Sequence, residues 1–204
     1  IVGLYMSPPD NAVIFCIDEK SQIQALERAQ PVLPMDLGQP ERQTSTYLRH
    51  GTLSLFAALN VATGEVLGTL RARHRAKEFV AFLTEVDATV QQGLDVHVIL
   101  DNLSTHKTPT VHRWLLKHPR FHLHFTPTHA SWLNLVERFF GLLTAEALRR
   151  GSHTSVTQLR TAIVEYLEAH NDAPVPFKWV KTADEILTSI ARFATRTLAA
   201  HQEA

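Results

Sequence analysis

Apolar positions along this chain fall into two periodicities. Residues 12–18 (AVIFCID) and 96–101 (VHVILD) are nearly continuous apolar runs that end in an acid, as expected of strands covered on both faces. Residues 52–59 and 66–71 are also β-rich, and the link between them contains Gly64, so they predict an antiparallel hairpin. Phe79, Val80, Leu83, Val86 and Val90 recur at helical spacing and predict a helix over 77–90, closed by Gly93. A helix over 110–117 and a short strand over 121–125 follow. Ser131 is placed to cap a long helix running to about Arg150, and helices over 156–170 and 183–199 complete the pattern. Only 27–50, with Pro31, Pro34, Gly38 and Pro40, lacks periodicity. A loop of that length inside a domain is commonly functional or mobile.

The order is three strands, helix, strand, helix, strand, then helices. It matches the ribonuclease H-like α/β fold, a mixed five-stranded sheet flanked by helices in which the hairpin adjoins a first strand lying beside the fourth. With 204 residues, 45% of them apolar, one domain over 1–204 is expected.

The acids at the ends of the two apolar runs, Asp18 and Asp101, gain meaning if those strands are neighbours. Adjacent strands lie about 4.8 Å apart, which would bring the two carboxylates together. At about 4 Å and an effective dielectric of 20 they would repel by roughly 4 kcal/mol, so the pair needs a cation or a shared proton. Magnesium suits an all-oxygen site. A third acid would complete a two-ion site acting on a phosphodiester. Glu137 is the candidate, because Asn134, Glu137 and Gly141 share a helix face while Trp132, Leu135, Val136, Phe139, Phe140 and Leu143 supply apolar surface. Taken singly, each acid also reads as an ordinary strand-end or solvated helix residue.

Composition narrows the class. Lys+Arg and Asp+Glu are 20 each, a zero formal charge that does not advertise a polyanion as partner. Cys16 is the only cysteine, which excludes an internal disulfide and a cysteine-based zinc site and suits a reducing cytoplasm. No apolar run approaches the eighteen or so residues that span a bilayer, and no signal-peptide pattern opens the chain, so no membrane partner is expected. Six of the twelve histidines, His106, His112, His118, His122, His124 and His129, crowd into one stretch, but without an acid-bearing zinc motif they read as ordinary histidines.

The segments FCIDEKSQIQALERAQP around Asp18, VILDNLSTHKTP around Asp101 and FTPTHASWLNLVERFFGLL around Glu137 resemble the three catalytic blocks of mariner-superfamily transposases, in particular of their bacterial insertion-sequence branch. The blocks occur in order, 35 residues separate Asp101 from Glu137, within the range that family uses, and the likeness runs from Val13 to Leu187. Many members carry proline where this chain has Leu135. That difference should shift the start of the helix and leave the chemistry intact.

The resemblance implies a catalytic domain that cuts DNA at transposon ends and joins the freed 3′-hydroxyl to target DNA, commonly at TA. It implies Asp18, Asp101 and Glu137 as ligands of two Mg2+ or Mn2+ ions, and a homo-oligomer, at least a dimer, assembled on DNA. Asn102, His106 and Asn134 are candidates for contacting DNA, the nucleophile or the acids, and the basic run Arg71, Arg73, Arg75 and Lys77 for contacting a DNA backbone. Relatives carry helix-turn-helix modules ahead of this domain. None is expected in this chain, which opens on Ile1 and reads as a piece of something longer. Two alternatives stand beside the transposase reading: another ribonuclease H-like nuclease or integrase, and a non-catalytic DNA-binding or assembly module derived from a transposase.

Overall fold

A computed structural model describes residues 1–28, 46–128, 130–149 and 151–177, together with the helical residues 184, 185, 187, 188, 191 and 192. The five strands are β1 (Ala12–Arg28), β2 (Tyr47–Asn60), β3 (Val66–Arg71), β4 (Asp95–Leu100) and β5 (Phe121–Phe125). They form one sheet in the order β3-β2-β1-β4-β5, with β2 antiparallel to β1 and β3, and β4 parallel to β1 and β5. Gly64 turns the β2–β3 hairpin at φ +81°, where a Cβ would also lie 2.5 Å from the Val175 backbone.

Alternation along the central strands explains their unbroken apolar character. Ile14 and Cys16 of β1 and Ile99 of β4 face the layer formed by α4 (Val136–Leu143) and α5 (Val156–Asp172). Phe15, Ile17, Val96, Val98 and Leu100 face α2 (Ala76–Thr89) and α3 (Pro109–Leu115). A sheet between two helical layers has no wet face, so neither parity can be polar. A short helix, α1 (Val2–Met6), was not expected from the pattern. It lies against the sheet through Tyr5, whose hydroxyl donates to the Leu133 carbonyl at 2.6 Å and stands 3.0 Å from Cys16 Sγ.

Three expectations are corrected. β1 does not end at Asp18 but runs on to Arg28, because β2 continues to pair with it after β4 has ended. A bulge at Gln22, with φ +52°, resets its register so that Ile23 and Ala25 point back into the core. The irregular stretch is accordingly shorter than 27–50 at both ends, since 27–28 and 47–50 are strand; residues 29–45 lie outside the described residues. Ser131 is not the cap of the long helix. It opens a single 3-10 turn, Ser131–Leu133, and α4 begins at Val136 after Leu135, without a side-chain cap. The helix then widens into a π-helical turn, Thr144–Leu148, and Arg150 lies outside the described residues, as does most of 183–199.

Candidate active site

Strand register decides which acids meet. Cys16 is the last β1 residue paired with β4, opposite Ile99. Two residues further along each strand, on the same face, stand Asp18 and Asp101. Asp18 is only 6% exposed, and α4 begins near it. That helix docks through Val136, Phe139, Phe140 and Leu143, an i, i+3, i+4, i+7 stripe, which leaves Glu137 in its first turn on the outer side.

Asn134 joins the two parts. Its buried Nδ2 donates to the Ile17 carbonyl at 2.9 Å and reaches Asp18 Oδ2 at 3.4 Å, while its carbonyl accepts from the Glu137 N–H at 3.1 Å. It therefore ties the first acid to the third, and its burial keeps it from touching a substrate by its donor end. Asn134 Oδ1 has no hydrogen-bond partner among the described residues.

The charges strain against one another. Burial, then the neighbouring Asp101, with Glu137 and Glu19 adding to them, push the Asp18 carboxyl up to about 8, against one favourable hydrogen bond from the Glu19 N–H at 2.8 Å. Glu137 is also raised, chiefly by desolvation and further by Asp101, with Lys20 pulling the other way.

Glu19 belongs to a different arrangement. It points to the opposite face of β1, where its Oε2 lies 3.1 Å from His106 Nε2, and the other ring nitrogen, Nδ1, is 3.1 Å from Asp101 Oδ1. Both side chains are nearly sealed, His106 at 1% and Glu19 at 5% exposed, and Phe79 packs on the imidazole with ring centroids 4.3 Å apart. Burial works against the imidazolium, but the hydrogen bonds to Asp101 and Glu19 outweigh it and hold His106 at about 9. His106 thus steadies Asp101 from behind, which is one of the alternatives the sequence offered for it. Its short 3-10 turn (Ser104–Lys107) just after Asp101 is the signal that could have been read. Nothing in the local pattern of Glu19 pointed to the pairing.

Of the remaining candidates, Asn102 is exposed and its Oδ1 accepts from Lys107 Nζ. The basic run begins at the acid-bearing end of the sheet, two strands from Asp18. Arg71 is paired with Glu85 and Arg75 with Glu78 at 2.7 Å, Lys77 lies 4.0 Å from the same Glu78, and Arg73, Arg75 and Lys77 are exposed. His97 Nδ1 and His124 Nε2 lie 2.8 Å apart on the β4–β5 face, but among the described residues no three acid, imidazole or thiol groups are arranged to hold one metal ion.

The chemistry of the three acids nonetheless fits a hard divalent cation: the donors are all oxygen, like charge from Asp101 and Glu137 adds to burial in raising Asp18, and an orphaned amide oxygen lies buried beside it. Glu137 is exposed in the first turn of α4.

The sheet order, the two helical layers and the level at which Asp18 and Asp101 meet define a ribonuclease H-like domain. Residues 13–160 match the family described as DDE superfamily endonuclease, and the chain belongs to that family. Over 120 residues it is 27% identical to the uncharacterised 39 kDa protein of insertion element IS630 from Shigella sonnei, covering 59% of this chain and 35% of that protein. The Mos1 mariner paired-end complex with Mn superposes with a TM-score of 0.62 at 17% identity, covering 82% of this chain and 52% of the Mos1 chain. The catalytic domain of Mos1 mariner transposase superposes at 0.57 and 13% identity, covering 82% and 76%. The chain spans about a third of the curated relative and about half of the paired-end Mos1 chain.

Proposed function

We propose that this chain is the catalytic domain of a transposase, which cuts DNA at the ends of its element and transfers the freed 3′-hydroxyl into target DNA. The observation that supports this reading is the buried Asp18, level with Asp101 on the neighbouring strand and with Glu137 near enough to add its charge, so that burial and then like charge lift Asp18 to about 8. Asp18, Asp101 and Glu137 would hold Mg2+ or Mn2+, two ions by the chemistry of phosphodiester displacement. Such ions, when bound, neutralise the attacked phosphate and lower the pKa of the attacking oxygen. Mn accompanies the Mos1 paired-end complex that shares this fold.

The chain's own residues supply geometry. His106, backed by Glu19, fixes the Asp101 carboxylate; Asn134 fixes Asp18 against the start of α4; the apolar stripe of α4 holds Glu137 at the rim. In each step an oxygen, from water in cutting and from the 3′-end in joining, attacks phosphorus in line as the opposite P–O bond breaks. No covalent bond to the protein is needed. Partners under this reading are transposon-end and target DNA and a second copy of the chain on that DNA; the place of action is the bacterial cytoplasm.

Nicking of supercoiled DNA and cleavage of terminal-repeat DNA by the chain in Mg2+ or Mn2+ test the reading. Asp18→Asn, Asp101→Asn and Glu137→Gln are each expected to lower cleavage on the order of a thousandfold or more while DNA binding persists. Cleavage retained by any one of them removes that residue from the site. Degradation of an RNA–DNA hybrid alone would replace the transposase by another ribonuclease H-like nuclease. No calorimetric binding of millimolar Mn2+ would favour the inert module.

A further inference from the structure

At Glu137 an open hollow is lined by Lys20 of β1 and, along one flank of α4 and the π-helical turn, by Glu137, Gly141, Ala145 and Arg149. Gly141 needs no glycine conformation, and a Cβ added there would meet nothing within 4 Å. Inside a helix glycine is destabilising relative to alanine. Neither the backbone nor the packing of this chain therefore accounts for it, and its effect is to leave space outside the protein. Ala145, one turn on, extends the bare strip.

The π-helical turn sets the far limit of that strip. The Arg149 N–H bonds to the Thr144 carbonyl at 2.8 Å, five residues back, and the widened turn swings Arg149 round to the flank that carries Glu137. The Thr144 hydroxyl is turned back onto the Phe140 carbonyl at 2.6 Å and presents no donor to the hollow. Lys20 borders the other side, with Nζ 5.9 Å from the Phe140 ring centroid and close enough to Glu137 to favour its charge. Among the described residues neither Lys20 nor Arg149 has a carboxylate within ion-pair distance, whereas Arg71, Arg75 and Arg120 all do. A second hollow shares Arg149 and continues along the β1–β2 arm past Gln22, Gln24 and His153.

We propose that Lys20, Gly141, Ala145 and Arg149 form a phosphodiester-binding shelf, which holds the sugar–phosphate backbone of the DNA strand next to the bond cut at Glu137. The inference rests on the DNA-cleaving reading and adds to it a site for the strand. Two cations lining one hollow beside the bare strip of Gly141 and Ala145 suit successive phosphates of an extended polyanion. They read no base edge, so the shelf sets affinity and register and not sequence.

The test is equilibrium binding of a short fluorescent DNA by the 204-residue chain across a salt series, with thermal melting alongside. Lys20→Gln together with Arg149→Gln should reduce the slope of log K against log salt by about 2, equally for unrelated sequences. Gly141→Leu should weaken binding about tenfold while the melting temperature stays level or rises. Inorganic phosphate at the same ionic strength should compete poorly; full competition would reassign the shelf to a free anion. An unchanged slope in the double variant, or wild-type binding by Gly141→Leu, overturns the shelf. If the wild-type chain nicks DNA in either case, the cleavage reading survives and only the shelf falls. If the wild-type chain binds no DNA at low salt, both fall.

Discussion

Asp18 and Glu19 are successive residues of one strand, both buried, and they point to opposite faces of the sheet. On the α2–α3 face Glu19 meets the His106 imidazolium at 3.1 Å and is neutralised by it. On the α4–α5 face Asp18 meets an amide, a backbone N–H and two further acids, and its carboxyl is pushed up to about 8. Burial is thus common to both, and the difference lies in the company. A buried acid with a counter-charge is part of the scaffold, whereas a buried acid ringed by acids is a place where a cation would be welcome.

Removing the counter-charge should produce the largest change in stability. His106→Ala leaves Glu19 buried beside an empty volume and is expected to cost about 3–5 kcal/mol in urea unfolding, since it breaks a buried pair by deleting one partner. A loss under about 1 kcal/mol would show that water reaches Glu19 and that the two faces differ less than the structure indicates.

The Asp18 side should respond to pH with the opposite sense to a paired acid. Its folded pKa is raised, so between about 4 and about 8 the folded chain binds more protons than the unfolded chain, and this group's contribution makes stability fall as pH rises through that window. Asp18→Asn should remove this contribution, melting higher than wild type at pH 8 without metal and scarcely differing at pH 4. Added Mg2+ should raise the wild-type melting temperature at pH 8 and leave that of Asp18→Asn nearly unchanged. Equal pH profiles for the two proteins would mean that Asp18 carries no electrostatic burden.

The smallest effect belongs to the exposed cations. Arg73→Gln and Lys77→Gln should leave melting unchanged and lower the salt slope of DNA binding by about 1 each if that run meets a phosphate backbone, and by nothing if it is only a solvated face. Such a loss would extend the DNA-facing surface two strands beyond Asp18.

Much of the fold was legible because its signals are local and repeated. The strands at 96–100 and 121–125, the β2–β3 hairpin and the helices near 77–90 and 156–170 each carry several residues of the right period, and they appear within a few residues of expectation. The ends of β1 and the start of α4 were harder. β1 runs past Asp18 through polar residues because a partner strand, not hydrophobicity, sustains it there. The helix begins after Leu135 and not at Ser131 because Asn134 is held down by Ile17 and Asp18.

By itself, the sequence determined most of the strands and helices, and it placed Asp18 and Asp101 beside apolar runs and Glu137 on an amphipathic helix, because side-chain period is a property of neighbours along the chain. Only the tertiary structure decided that His106 serves Asp101 from beneath instead of reaching outward, that Glu19 is its counter-ion 87 positions away, and that Gly141 opens onto space. Those outcomes depend on strand register and on which side chains share a low-dielectric interior. Both are fixed by contacts between distant parts of the chain, and no local pattern of residues encodes them.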